Sequence, residues 1–281
     1  MKKLFDNPHK TYLDHGHVVL LDFMGSDEDI EYAARMSYAD GTRTVSDTKR
    51  LLDFLMRHEH SSPLEMAEFK FQIKMPIFVM RQLVRHRTAS LNETSLRYSV
   101  ATDEFYLPET SRCNPQSTTN KQCSGDTIIE EHREARQTID EACNESFDAY
   151  HRLLEMGLSR ELARGVLPVN GYTEVVWKID LKNLMHFLKL RLHGHAQEEI
   201  QWLAQAIYEL LVETNKFTLT LDAFDRYILN GARMSKHELE LIRNLVIMVG
   251  GWDDGMQDLL LKHQGKLSDR EIAEFQQKIG L

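Results

Sequence analysis

An α/β fold of the α+β kind is predicted: one domain with a central mixed or antiparallel sheet and flanking helices, plus a helical C-terminal tail. Three observations carry this expectation. Phe69, Phe71, Ile73 and Met75 alternate with other residues at the two-residue period of a strand. The runs at 17–24 (HVVLLDFM) and 172–179 (YTEVVWKI) are short and β-rich. Around them apolar residues recur at helical spacing, as Leu51, Leu52 and Leu55 do.

Taken in order, the strand at 17–24 shows little alternation, which predicts burial on both faces. Helices are expected at 27–38 and 47–57. Ser62-Pro63-Leu64-Glu65 has the form of a capping box with proline at the first helical position, ahead of a short turn. Pro76 opens the helix IFVMRQLVRHR, and residues 108–126 form a polar loop. A long charged helix over 127–156 should stop at Gly157. Asp180 is placed to cap the helix LKNLMHFLKLRL, whose Met185, Leu188 and Leu192 read as core, and a further helix covers 196–214. In the tail, Ser268 and Glu271 form a second capping-box pattern with Leu267 and Ile272 as its staple. The main domain is expected over 1–233 and the helical extension over 234–281, with no internal repeat or Gly/Ser linker.

Composition narrows the class. The 281 residues carry 34 Lys+Arg against 43 Asp+Glu, a formal charge of −9, which argues against a general binder of nucleic acid. Three scattered cysteines match neither a disulfide framework nor a paired-cysteine zinc site, and they point to a reducing cytoplasm. The first residues lack the apolar stretch of a secretory signal, and no run is long and apolar enough to span a membrane. A cytoplasmic globular enzyme or binding protein is expected.

One segment stands out against this acidic background. Gln82 and Arg85 are three apart and Arg81 and Arg85 four apart, so a helix would gather their donors on one side. Arg85-His86-Arg87 follows, and if residues 93–97 are extended, Glu93, Ser95 and Arg97 share a face. Guanidinium forks suit phosphate oxygens, so the cluster reads as a site for a phosphate-bearing ligand, against the alternative of a solvated basic turn with ordinary surface pairs.

The run RHRTASLNETSLRYS, Arg85 to Ser99, resembles the signature of the flavin-dependent thymidylate synthases: Arg-His-Arg, seven residues, then Ser, with Asn-Glu before it and Arg-Tyr after. HEHSSPLE (58–65), PIFVMRQLVRHR, ARGVLPVNGYT (163–173) and LMHFLKLRLHGHAQEEIQ (184–201) resemble further blocks of that family. The resemblance implies an α/β homotetramer with active sites where subunits meet, making dTMP from dUMP with methylenetetrahydrofolate as one-carbon donor and NADPH reducing a bound FAD. It places Gln82, Arg85, Glu93, Ser95, Arg97, Arg164 and Arg191 at dUMP, with Arg191 as the catalytic group that promotes ionisation of the uracil N3. It places Ser37, His60, Ser62, Glu65, Arg85, His86, Arg87, Glu93, Asp180, Lys182 and His186 at FAD.

Four positions depart from the family's usual residues: Met66 for histidine, Asp180 for asparagine, Lys182 for arginine and His186 for asparagine. Asp180 would repel a pyrophosphate unless it caps the following helix. None of Cys113, Cys123 and Cys143 falls in a matching block, so no cysteine nucleophile is expected, and Ser95 has no general base beside it in sequence. His58-x-His60 and His193-x-His195 invite a metal, but two such pairs arise readily among 13 histidines and none is expected. The rival readings are a nucleotide- or RNA-binding module using Tyr98 for stacking, and a metal-dependent nucleotide phosphohydrolase built on the histidine pairs.

Overall fold

The computed structural model describes residues 6–36, 47–118, 120–125, 127, 129–248, 267 and 269–279. The chain divides into two compact units, Met1–Leu229 and Asn230–Leu281.

The first unit is built on one five-stranded sheet, antiparallel throughout, in the order β1-β2-β3-β5-β4. The strands are β1 (His9–Tyr12), β2 (Gly16–Met24), β3 (Glu68–Pro76), β4 (Ser90–Glu93) and β5 (Tyr172–Asp180). The alternation in β3 is realised fully: Phe69, Phe71, Ile73 and Met75 have no exposed surface, while Lys70, Gln72 and Lys74 are half-buried. Opposite them on β5 stand Val175, Trp177 and Ile179, all buried, with Phe71 paired to Trp177 in register. β2 is buried over Val18, Val19 and Leu20, but a register shift between Leu20 and Asp22 turns its second half outward, leaving Phe23 and Met24 exposed. Burial on both faces therefore holds for only half of that strand.

Helices α1 (Asp27–Arg35) and α2 (Thr48–Arg57) follow β2, and α3 (Ile77–Leu83) runs directly from Pro76, which ends β3 and caps the helix. The long helix α4 is His132–Glu155, starting five residues later than its composition suggested, and Gly157 ends it with φ +85. A short helix α5 (Arg160–Ala163) precedes β5. Then come α6 (Leu181–Arg191), α7 (Glu198–Glu213) and α8 (Thr218–Phe224), which extends into a π-helical turn, Asp225–Leu229. Leu203, Ala204, Ile207, Leu210 and Leu211 of α7 are buried in the same core as the sheet, as are Met185 and Leu188 of α6.

Other features also differ from the sequence reading. β1 was not foreseen, because HKTY carries no hydrophobic alternation; it is held as an edge strand by pairing with β2. Gly16 is obligatory there, since a Cβ would lie 2.6 Å from the Tyr12 carbonyl oxygen. The Ser62–Glu65 capping box does not form: Ser62–Met66 is a single 3-10 turn whose N-cap, Ser61, makes no side-chain bond, because the chain is already extended at Ala67.

In the second unit, α9 (Lys236–Met248) and α10 (Asp269–Ile279) bury Val246 and Ile279. A capping box does occur at the start of α9: the Ser235 N–H donates to Glu238 Oε2 and the Glu238 N–H to Ser235 Oγ. The expected box at Ser268 lies outside the described residues. No helix among the described residues is long and apolar enough to cross a membrane.

Asp27 ties distant parts of the first unit together. Its buried carboxylate accepts from the N–H groups of Leu219 (2.8 Å) and Thr220 (3.0 Å), the open N-terminus of α8, and from the Thr220 hydroxyl. Asp27→Ala should leave those donors buried and unpaired, at a cost of about 3 kcal/mol. Thermal unfolding should show a melting temperature lower by roughly 6–12 °C; an unchanged midpoint would show that this cap is dispensable.

Candidate active site

The helix α3 ends at Leu83, so Arg81 and Arg85 do not share a continuous helical face. The chain tightens instead, with the N–H of Arg85 donating to the Gln82 carbonyl (3.4 Å) and that of His86 to Leu83 (3.0 Å). This turn keeps Gln82, Arg85 and His86 in one neighbourhood. Arg191, last residue of α6, arrives there: its Nε donates to His86 Nε2 (3.1 Å) and its Nη2 to the Gln82 carbonyl oxygen (3.4 Å). The Gln82 side-chain amide donates to Gln197 Oε1 at 2.7 Å. Arg191, His86, Gln82 and Gln197 are all half-buried, whereas Arg85 and Arg87 are exposed and their side chains bond to no described residue.

The electrostatics of this group are unusual. Burial, then Arg191, then His186 push the His86 imidazole down to about 4, so it is neutral near pH 7. Burial also lowers the pKa of Arg191, which has no carboxylate partner among the described residues. A half-buried guanidinium whose two described partners are neutral acceptors keeps its charge available to a ligand.

A second group lies around Glu161. Arg97 Nη2 is 3.6 Å from Glu161 Oε2, Arg164 Nε donates to the Glu161 carbonyl (3.3 Å), and Arg160 donates to the Tyr98 carbonyl (3.1 Å). Exposed pairs of this kind are weak and yield readily to a bidentate phosphate. β4 ends at Glu93 and residues 95–98 form a turn, with the N–H of Tyr98 and that of Ser99 both donating to the Ser95 carbonyl. Glu93, Ser95 and Arg97 therefore do not alternate along one extended face. Glu93 instead accepts from the Thr173 hydroxyl at 2.7 Å, and Ser95 Oγ accepts from the Arg97 N–H at 3.3 Å.

A third group flanks the start of α6. Glu65 Oε1 lies 3.6 Å from Lys182 Nζ, and His60 packs edge-on to Phe54 at 5.4 Å. Asp180 caps α6, accepting from the Asn183 N–H (2.9 Å) and side-chain amide (2.7 Å). Its carboxylate is thereby committed to its own helix end and is not a bare anion facing a pyrophosphate. Ser62 is exposed at the head of the 3-10 turn, His186 is exposed on α6, and Ser37 lies outside the described residues. The donor set fits a flavin dinucleotide: the exposed cations Arg85 and Arg87 suit phosphate, and the aromatic edges of His60 and His86 suit a planar ring. From Lys182 to Arg191 the helix rises by about 14 Å, so α6 links the third group to the first.

Sequence reasoning missed Gln197 and Glu161. Gln197 lies within a resembling block but reads as an ordinary helix start, and Glu161 reads as a solvated helical carboxylate, so no local signal marked either. Among the described residues no three His, Cys, Asp or Glu side chains are grouped as metal ligands. His193 and His195 pack edge-on, ring centroids 4.7 Å apart, with the His195 backbone N–H donating to His193 Nδ1.

The family profile described as thymidylate synthase complementing protein matches residues 19–214. A flavin-dependent thymidylate synthase of Thermus thermophilus is 50% identical over 234 residues, 83% of this chain and 84% of its own. One from Ehrlichia ruminantium is 46% identical over 269 residues, 95% of this chain and 87% of its own. The crystal structure of the UMP/dUMP methylase PolB from Streptomyces cacaoi, bound with 5-Br dUMP, superposes with a TM-score of 0.69 at 31% identity, covering 79% of this chain and 100% of that one. With relatives this similar over most of both chains, and with the Arg-His-Arg turn set against Arg191, the chain belongs to the flavin-dependent thymidylate synthases.

Proposed function

We propose that this protein converts dUMP to dTMP, using FAD as cofactor, methylenetetrahydrofolate as one-carbon donor and NADPH as reductant. The observation that carries the reading is Arg191: a half-buried guanidinium, held by two neutral acceptors, beside a turn rich in phosphate-binding groups. Methylation at C5 requires the uracil ring to act as an enolate-like nucleophile. A guanidinium beside N3 and a ring carbonyl stabilises the negative charge as it develops, and partial desolvation strengthens that interaction. Gln82 and Glu93 supply polar contacts for the nucleotide, and Arg85, Arg97 and Arg164 hold its phosphate. His60, Ser62, Glu65, Arg87, Lys182 and His186, with Ser37, cradle FAD, which when bound supplies the hydride that completes the methyl group.

No thiolate is invoked. Burial raises the Cys143 pKa, and Cys143 lies 3.4 Å from Asn170 Oδ1. Cys123 donates its S–H to the carbonyls of His195 and Ala196, at 3.2 and 3.5 Å. The Ser95 hydroxyl oxygen accepts from the Arg97 N–H and has no general base among its described partners, so its role is positional. The family resemblance supports a homotetramer in the cytoplasm with active sites where subunits meet, and the exposed Arg85, Arg87, Arg97 and Arg164 are open to such a neighbour. Residues 1–233 hold every site residue and act as the catalytic domain, with 234–281 as an extension.

The purified protein should be yellow, and absorbance near ~450 nm should bleach with NADPH, as for a reducible flavin; dUMP and methylenetetrahydrofolate should then give dTMP. Colourless protein whose activity needs added divalent metal would instead favour the phosphohydrolase. Arg191→Ala should fold and keep flavin but lose dTMP formation by at least about 100-fold, while Ser95→Ala retains measurable turnover. Near-normal turnover in the first, or complete loss with intact dUMP binding in the second, would overturn these roles. A chain ending at residue 233 should keep flavin and the tetramer mass in light scattering; dissociation would place assembly contacts in the extension.

A further inference from the structure

We propose that His86 is a positioning residue for Arg191: its Nε2 accepts the Arg191 Nε hydrogen and, with the Gln82 carbonyl, fixes the plane in which the guanidinium meets the substrate ring. The inference rests on the reading of Arg191 as the group beside the uracil, and it gives His86 a task distinct from touching the flavin.

The donor inventory decides the direction of this bond. A guanidinium has five N–H groups and no acceptor, so His86 Nε2 must offer its lone pair and the imidazole proton must sit on Nδ1. Two of those N–H groups are engaged, by His86 at 3.1 Å and the Gln82 carbonyl at 3.4 Å, which leaves three uncommitted for a ligand. The imidazole itself is braced. It packs edge-on to the fully buried ring of Phe187 at 5.0 Å, and Phe187 and Arg191 lie one turn apart on the same side of α6. His86 is thus clasped by two successive positions of one helical stripe, with the His186 ring at 6.1 Å.

The choice of partner matters chemically. A carboxylate in place of His86 would also orient the guanidinium, but it would neutralise the charge that the ring needs. A neutral imidazole orients without neutralising. The charged and titratable groups facing it are Arg191 and His186 from α6, with Arg85 and Arg87 flanking it along its own turn. Burial and the first two of these keep it neutral down to about pH 4. Its native pKa lies below the ordinary 6.5, so as pH falls from 6.5 towards about 4 the unfolded chain takes up a proton that the native one refuses, and this group's contribution to stability declines across that window. Once protonated, the ring would donate instead of accept and would repel Arg191.

The test compares holoenzyme of wild type, His86→Gln, whose amide oxygen can reach the Nε2 position, and His86→Ala. His86→Ala should keep its flavin absorbance but lower kcat by about 100-fold, with a smaller change in KM for dUMP, and His86→Gln should recover at least about 10-fold of that loss. In wild type, nitrogen NMR should show His86 Nε2 unprotonated and Nδ1 protonated down to pH 5, with the Nε2 resonance shifted in Arg191→Ala. Wild-type kcat in His86→Ala, or flavin loss in parallel with activity in both variants, would overturn the proposal. So would a protonated Nε2 at neutral pH or an Nε2 resonance indifferent to Arg191. A wild type that makes no dTMP would sink the functional reading, while the NMR comparison would still decide the His86–Arg191 bond.

Discussion

The fold hangs on β5, a strand with a neighbour on each side that also helps to set both helices of the first residue group. It pairs along its full length with β3, and its middle pairs with β4. Just before it, the carbonyls of Val169 and Gly171 accept from the N–H groups of Phe78 and Ile77, anchoring the start of α3. At its far end Asp180 caps α6. Two helices therefore start at opposite ends of β5, α3 running on from β3 beside its beginning and α6 leaving its end, and their C-terminal ends meet at Gln82, His86 and Arg191. Trp177, buried at the centre of β5, packs against Phe187 of α6 at 5.4 Å, so the hydrophobic core and the arginine bonds hold α6 in the same pose.

Two half-buried arginines show how the chain separates structure from chemistry. Burial works against the charge of Arg112, but Glu199 and Glu198 outweigh it and its pKa rises. Its guanidinium joins the loop after β4 to the start of α7, and its charge is spent inside the protein. Arg191 has comparable burial, no carboxylate among its described partners and a lowered pKa. An acidic chain could have supplied a carboxylate there as it did for Arg112. The arginine left with neutral partners is the one whose field reaches outward.

What could be read from residues alone follows the range of the forces involved. The alternation of Phe69 to Met75 and the cap at Asp180 are local patterns with one structural solution, and both appear as expected. β1 and β4 have no such pattern, because short, polar edge strands are defined by the neighbour they pair with. The extended reading of residues 93–97 failed because Ser95 closes a turn through its own carbonyl, where a residue such as serine competes with strand geometry. The same competition between local signals explains the capping boxes: Ser62 carries the right spacing but sits in a turn too short to need it, whereas Ser235 opens a real helix. In the candidate site, the motif singles out individual residues, but the partners Gln197 and Glu161 are set by tertiary approach.

A thymidylate synthase that dispenses with a covalent thiolate must polarise the ring by field alone, and a field acts only as well as its source is oriented. A flexible surface arginine would lose much of its effect to solvent screening and rotamer averaging. Arg191 avoids both, being half-buried at the end of a helix whose cap, core contacts and terminal bonds are each fixed by β5 or by the turn after α3. The exposed Arg97 and Arg164, tethered only loosely through Glu161, suit the opposite task of closing on a phosphate that arrives from solvent. In the proposed roles, Arg191 at the ring and Arg97 and Arg164 at the phosphate, rigid and loose placement are two uses of one residue type, and burial is what divides them.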